Sequence, residues 1–545
     1  MKKALFYFTA IAGLCACSVD RDDRLYSELA QGGETDLTVS VDESTKVDIN
    51  DSDTQSSLSW NASDKLVLIS QDGAQTEVYS IKQYGEKSCV FTGNKMNSTT
   101  VTMLLPGSKY TTVSSLEQRN YSSQQQDGNG SLAHLEYNAW LKNVSNYANV
   151  TFSQAWASAH GGTCFQNGCI KLSLDLPKSM VGHQVTIVSL KTDRATFKTT
   201  LKGSKGTTLN LGLKNVTVGQ DARLTAYLMF PADNIAFENG QSLTLSLLVD
   251  QKYYLEKTIG MSGKTLLTGK MNVLAVNSDN WSLKDMLTNL PVTPKITIDG
   301  VAGKDEWTLP HPDITVLSLP ENAYFQDFYN AYVYADKGWV LIKMEFYMPS
   351  WNYSLPFDLM IDIDGNPATG ATVSASDKNG DGKLLWSNMG VEWYLETLGL
   401  SNLTNAFYDW TSDEVTGQNR MAWYKYMGSD GQDIWSGGLT RMYYSGEEPN
   451  QLSDRHVKAV GSLDQSKQRA VLEVRLRRFT LEARSTVASK MRVGFKYMSA
   501  DKTGEESGFF LYGLLPQGSR TDGPRQLVDM AEVYLPAYED YEWND

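Results

Sequence analysis

AYVYADKGWVLIKMEFY, Ala331 to Tyr347, decides the class of fold. Two runs of Tyr, Val, Ile, Trp and Phe flank the turn-forming residues Asp336-Lys337-Gly338. β-Branched and aromatic side chains suit a pleated, half-buried surface, and a short polar break with glycine returns the chain on itself. The stretch predicts a β-hairpin. The same grammar recurs outward in both directions, in TDLTVSVDE, KLVLIS, TVTMLLP, IKLSLDLP, QVTIVSLKT, SLTLSLLVD, MNVLAVN, LMIDID, AVLEVRLRR and MRVGFKYM. Each alternates or runs apolar over a strand's length and is bounded by Gly, Asn, Asp, Ser or Pro. Helical periodicity is weak, and AWASAH (155–160) and WSLKDMLTNL (281–290) are the better short helix candidates. Many short strands with regular turn signals predict an all-β chain built of sandwiches.

Composition shifts near residue 290. NLPVTPK carries Pro291 and Pro294 and no strand pattern, so 286–295 reads as a linker. Of the thirteen tryptophans only Trp60, Trp140, Trp156 and Trp281 precede it. Cys89, Cys164 and Cys169 all lie before it, which marks two different kinds of module. Three cysteines beyond the N-terminal region make no disulfide framework. TCFQNGC can close a small loop between Cys164 and Cys169 or hold two thiols, and the pattern leaves both open.

The N-terminus reads as an address. Met1-Lys2-Lys3 is a short basic start, and Ala4–Leu14 is apolar apart from Thr9. That is the layout of a secretory signal, too short to span a bilayer. Leu14-Cys15-Ala16 ahead of Cys17 resembles a bacterial lipobox, which implies cleavage before Cys17, acylation of that residue and a stable membrane tether. Asp20, Asp22 and Asp23 resemble the surface-export signal of Bacteroidetes lipoproteins, so 18–35 is expected to be a tether outside the outer membrane. Removing residues 1–17 deletes Lys2 and Lys3 and no acid, which moves the formal net charge from -14 to -16. That balance argues against nucleic acid and anionic lipid as partners and suits a neutral or cationic ligand.

The first module has a specific resemblance. TKVDIN followed by SLSWNASDKLVLIS, with Lys46, Trp60 and Asp64, resembles the opening of fimbrillin-like proteins of Bacteroidetes. CVFTGN, VTMLLPGSKY, AYLMFPADN and LLTGKMNVLAVN follow in that family's order, up to about residue 280. The resemblance implies two transthyretin-like β-sandwiches in tandem, 36–150 and 151–285. Pilins of this family polymerise after a cut at an arginine behind the first strand, when a partner's strand fills the vacated groove. Here the matching loop holds Lys46 and no arginine, while Arg21 and Arg24 precede the strand. The first strand is therefore expected to stay in its own sheet.

The second module, 296–545, opens with ITIDGVAGKDEW and continues through the hairpin to PFDLMIDIDGNPATG. Together these resemble family 9-type carbohydrate-binding modules, which open on I-D-G and E-W and carry a D-x-D-x-N-x-x-T-G segment. The resemblance implies a larger, jelly-roll-like β-sandwich that binds sugar; beyond Trp410 it matches little, and about 250 residues exceeds the family's usual length. In DKNGDGK, the oxygens of Asp377, Asn379 and Asp381 fall at i, i+2 and i+4 with Gly382 next, a spacing that converges on a hard cation. Asn388 stands where an EF-hand would place Glu. A structural calcium is expected, with Asp362 and Asp364 completing its shell.

Aromatics supply the sugar candidates, since C–H faces stack on flat rings. Trp351, Tyr353, Trp386, Trp410, Trp423 and Trp435 sit among turn residues or at the ends of runs and are expected to touch glycan. Trp307, Trp339 and Trp393 sit in strand patterns and are expected in the core. No G-x-S-x-G, H-E-x-x-H, P-loop or C-x-x-C motif is present. A glycosidase needs only two carboxylates, for which Glu392 and Glu396 of VEWYLE are candidates, though a structural role is simpler. The expected function is therefore non-enzymatic: an outer-membrane surface lipoprotein that binds polysaccharide and presents it to a starch-utilisation-type porin and its lid lipoprotein. The alternative is a minor fimbrial subunit, a tip or anchor adhesin with fimbrial partners; a glycoside hydrolase ranks last.

Overall fold

The computed structural model describes residues 34–41, 65–84, 88–98, 100–105, 119–138, 141–146, 151–152, 167–231, 233–268, 271–301, 306–318, 328–347, 357–373, 384–397, 407–409, 421–434, 438–444, 456–464, 466, 469–500, 509–516 and 527–543. The chain is all-β and built of multi-stranded sheets. It forms two compact units, one of residues 1–176 and 181–291, the other of Pro177–Met180 and Val292–Asp545. The division at Pro291 falls inside the segment read as a linker.

In the first unit, a seven-stranded sheet runs in the order Leu141–Asn146, Thr100–Leu105, Lys65–Ser70, Thr76–Gln83, Ser88–Asn94, Glu34–Val41, Thr151–Phe152. Glu34–Val41 pairs on both sides, antiparallel to Ser88–Asn94 and parallel to Thr151–Phe152. The first strand is thus held in its own sheet. A six-stranded sheet follows, in the order Ser282–Asp285, Tyr253–Gly260, Ser242–Val249, Val185–Lys191, Thr208–Lys214, Gln124–Asp127, beside a three-stranded one of Arg223–Phe230, Gly168–Asp175 and Met271–Val276.

Two details depart from the sequence reading, and a third bears on an alternative that the sequence leaves open. Gln124–Asp127 joins Thr208–Lys214 in the second sheet system, while Thr151–Phe152 belongs to the first, so no clean boundary falls at 150/151. WSLKDMLTNL is not helical: Ser282–Asp285 is an edge strand paired with Tyr253–Glu256, followed by a turn in which Asp285 accepts from Leu287 N and Thr288 N. Burying Trp281 and Leu283 against the neighbouring strand outweighs a weak helical pattern. Cys169 is a free, buried thiol, its pKa pushed up to about 12 by burial. Its possible partner Cys164 lies outside the described residues.

The second unit is a sandwich of antiparallel sheets. One is ordered Thr315–Ser318, Phe328–Ala335, Trp339–Tyr347, Arg469–Arg477, Val457–Asp464, Phe407–Asp409. The other is ordered Leu439–Tyr444, Met421–Tyr426, Trp393–Thr397, Phe357–Asp362, Ser489–Ala500, Phe509–Leu515, with Ala531–Leu535 also on Ser489–Ala500. The hairpin at Asp336 forms as its sequence predicts, closed by Asp336 N to Trp339 O at 3.0 Å. Val333, Ile342, Leu359, Ile361, Trp393, Trp423, Val474 and Val493 fill the space between the sheets. Each such buried aliphatic side chain contributes roughly 1.5–3 kcal/mol.

Both outer faces are covered as well, which uses the opposite set of alternating residues. Met360, Tyr394 and Leu514 face one outer cluster with Trp386 and Val391. Tyr334, Trp339 and Leu341 face the other, with Ile296, Ile298 and Trp307. The opening motif is pinned by one buried acid. Glu473 Oε1 accepts from the Trp307 indole at 2.7 Å, and its Oε2 accepts from Gly300 N at 2.9 Å and Asp299 N at 3.2 Å.

Candidate metal centre

Strand alternation builds the site. Leu359 and Ile361 face the core, so Met360 and Asp362 face outward from the sheet. Across the strand pair, Trp393 and Leu395 face the core and Tyr394 outward, so Glu392 shares the side of Asp362. Ile361 pairs with Trp393 in antiparallel register, and Glu392 N donates to Ile361 O at 3.0 Å, which brings Glu392 beside Asp362. Asp362 in turn pairs with Arg492 on the next strand. The loop Asp362–Gly370 then folds back over this row. Asp364 accepts from Asn366 N at 2.8 Å, and the Thr369 hydroxyl lies 3.1 and 3.2 Å from its two carboxylate oxygens. Gly370 has φ +69°, and a Cβ there would sit 2.8 Å from Val391 O, so the loop returns against the Val391 backbone with no room for a side chain.

One carboxylate oxygen from each of Asp362, Asp364 and Glu392 lies within 4.8 Å of the others. Their occupied contacts point elsewhere. Glu392 Oε2 accepts from Ile363 N at 2.8 Å, and Asp362 Oδ2 pairs with Arg492 Nη1 at 3.2 Å. Asp362 Oδ1 and Glu392 Oε1 are buried and accept no hydrogen bond among the described residues. Like charges on neighbouring positions of a strand pair repel, and a buried acceptor with no donor costs about 1–3 kcal/mol. Burial, reinforced by the neighbouring carboxylates, pushes Glu392 up to about 7. Burial likewise pushes Asp362 up to about 6, against the lowering effect of Arg492. Three carboxylates with oxygens within 4.8 Å of one another, and only Asp362 of them paired with Arg492, offer the hard donors that a divalent cation takes. Asp362 is fully buried, Glu392 is half-buried and Asp364 is exposed, so the group runs from the sheet out to the surface.

Two of the five residues named for metal, Asp362 and Asp364, are brought together here. Asp377, Asn379 and Asp381 lie outside the described residues. Glu392 was weighed only as one of a catalytic pair with Glu396; its place in the cluster depends on which strands pair, and no local pattern announces that. Of the sugar candidates, Trp351, Tyr353, Trp410 and Trp435 lie outside the described residues, as does Cys17.

Trp386 and Trp423 must be reassigned. Trp386 is 0% exposed, lies against Gly494, where a Cβ would meet its ring at 2.7 Å, and donates to Pro516 O at 2.9 Å. Trp423 is 1% exposed and stands edge-on to Trp393 with ring centres 6.1 Å apart. Both are core residues that present no face to a sugar. Their polar neighbours in sequence suggested exposure, but a strand hides alternate residues whatever flanks them. Trp307, Trp339 and Trp393 are buried as expected.

No protein-family model and no curated protein matches the chain. Among solved structures, the chain is similar to the tip fimbrial protein Mfa3 from Porphyromonas gingivalis with C-terminal truncation, at 9% identity and a TM-score of 0.23, over 47% of this chain and 98% of that one. Among the described residues, no helix is long and apolar enough to cross a membrane.

Proposed function

We propose that this protein is a non-enzymatic, surface-anchored glycan-binding lipoprotein whose C-terminal sandwich is locked by a divalent cation, calcium foremost. The observation that carries the cation is the grouping of one carboxylate oxygen each from Asp362, Asp364 and Glu392 within 4.8 Å, with Asp362 and Glu392 each also holding a buried oxygen that has no hydrogen-bond partner among the described residues. Asp362, Asp364 and Glu392 would hold the ion, with Asp377, Asn379 and Asp381 as candidate further donors. A bound cation would neutralise the carboxylates and fasten the Asp362–Gly370 loop to the sheet. Loops at the ends of a rigid sandwich carry recognition, so stiffening one lowers the ordering cost of binding.

The glycan reading is supported by the acidic balance and by the Trp- and Tyr-rich second module. Within it, Cys17 carries the lipid, Trp351, Tyr353, Trp410 and Trp435 remain sugar candidates, and an outer-membrane porin with its lid lipoprotein receives the polysaccharide. The fimbrial alternative, a tip or anchor adhesin, draws on the motif order across 36–280. The doubly paired Glu34–Val41 strand speaks against polymerisation by release of that strand.

The test is a glycan array probed with the full chain in calcium and again after chelation, alongside thermal melts in both buffers. Glycan capture weakened by chelation supports the whole proposal. A melting curve indifferent to calcium overturns the cation, and an array without a hit overturns the glycan reading.

A further inference from the structure

We propose a sugar subsite within the second unit, in a cavity of about 290 Å³ walled by Tyr334, Tyr541 and Trp543 and edged by Lys295, Asp336 and Glu542. It rests on the glycan reading and places one ring of that glycan on Tyr541 and Trp543, away from the buried Trp386 and Trp423.

The walls are aromatic and already fixed. The Tyr541 hydroxyl donates to Asp336, and the Trp339 indole donates to Tyr541 O at 3.2 Å. The Tyr541 ring lies against Gly338, where a Cβ would stand 2.8 Å from it. Trp543 stands edge-on to Trp339 with ring centres 5.9 Å apart, and the Arg475 guanidinium sits 5.4 Å from the Trp543 ring centre. Asp336 is held by Gly338 N and Trp339 N, both at 2.8 Å. Tyr541 nevertheless keeps 38% of its surface exposed. A ligand therefore meets a preformed aromatic surface and pays little to order it.

Charge selects the ligand class. Lys295 offers a donor, while Asp336, which already takes Gly338 N, Trp339 N and the Tyr541 hydroxyl, and Glu542, paired with Arg477 at 3.1 Å, keep further carboxylate lone pairs as acceptors, so the rim suits hydroxyl groups that both give and take hydrogen bonds. Arg475 beside Trp543 and Lys295 on the rim disfavour a cation; the two carboxylates disfavour an anion. A neutral ring with apolar C–H faces and equatorial hydroxyls matches walls and rim together. The volume lies at the low end for ligand pockets and fits a single sugar residue rather than a run of them.

Saturation-transfer NMR on the full chain, with methyl glycosides of glucose, galactose, mannose and xylose as probes, tests this. Each is also measured against tetramethylammonium, which tests a cation site. One of the glycosides is expected to bind, and Trp543→Ala to weaken it about tenfold. Because Trp543 also packs on Trp339, the exposed-rim variants Lys295→Met and Glu542→Gln are measured beside it. They should weaken the same glycoside with little change in melting temperature. Glycoside binding unchanged in all three variants overturns the subsite and leaves the glycan reading standing, as does an array hit without any glycoside contact. Binding of tetramethylammonium in place of the glycosides overturns the ligand class. An array without a hit removes the reading on which the subsite rests.

Discussion

Asp362 is fully buried, and the partner of its Oδ2 is Arg492, whose Nη1 lies 3.2 Å away. Arg492 also donates to Asn388 O at 3.3 Å, so the guanidinium ties the acidic row to the backbone that covers it. Removing one partner of a buried pair leaves an uncompensated charge, at a cost of about 3–5 kcal/mol. Arg492→Met is therefore expected to destabilise the second unit by that order in chelator. Calcium should recover a large part of the loss. Equilibrium denaturation in both buffers checks this; an equal loss in both would count against an ion beside Asp362.

The pH dependence has a definite sign. Burial places Glu392 at about 7, above its ordinary 4.5, and Asp362 at about 6, above its ordinary 3.8. Between the ordinary and raised values the folded chain holds more protons than the unfolded one. In chelator, these groups' contribution to stability falls as pH rises from about 4 to 7 and is level above. Calcium must displace those protons, so its stabilising shift should be small at pH 5 and full at pH 8. Melting temperatures on a grid of pH and calcium measure it; a calcium shift independent of pH would refute the assignment of ligands.

Glu392→Gln keeps shape and removes a charge. In chelator it should leave stability equal or higher at pH 8, because a buried repulsion is gone. In calcium it should lower the melting temperature relative to the unaltered chain, because a ligand bound only to the folded state no longer stabilises it. The crossing of the two effects is the signature.

A different device operates in the first unit, where side-chain amides cap the outer edge of Arg223–Phe230. Gln124 accepts from Met229 N and donates to Met229 O, both at 2.7 Å. Gln126 accepts from Tyr227 N at 3.0 Å and donates to Thr225 O at 2.9 Å, and Asn129 accepts from Thr225 N at 2.7 Å. Open strand edges invite pairing with other chains, and here the groups that would pair are occupied. Gln126→Leu should cost about 1–3 kcal/mol by orphaning buried backbone groups. Gln124→Ala with Gln126→Ala should also promote self-association, read by light scattering; a stable monomer would show that the cap is dispensable.

Trp386 and Trp423 separate packing from hydrogen bonding. Trp386→Phe breaks the bond to Pro516 O, whereas the Trp423 indole nitrogen is buried and has no partner among the described residues. Trp386→Phe should be the costlier by about 1–2 kcal/mol. Either residue changed to Ala should cost about 3–5 kcal/mol through cavity formation. Thermal or chemical denaturation ranks the four variants.

Sequence alone determined the all-β class, the turn at Asp336-Lys337-Gly338 and the burial of Trp307, Trp339 and Trp393. These are consequences of local chemistry: β-branched and aromatic runs extend, and Asp and Gly turn. Asp362 and Asp364 were named from sequence as completing a shell around Asp377, Asn379 and Asp381, and of these five the structure describes only Asp362 and Asp364. Tertiary structure alone decided that Glu392, some thirty residues away, completes the group, since that depends on the register of Ile361 against Trp393. It alone decided that Trp386 and Trp423 are core, that Gln124–Asp127 crosses to the second sheet system, and that residues near both ends of the second unit enclose one cavity. Strand partners are chosen by which faces can be buried together over the whole chain, and a free energy summed over distant contacts leaves little mark on any one stretch of sequence.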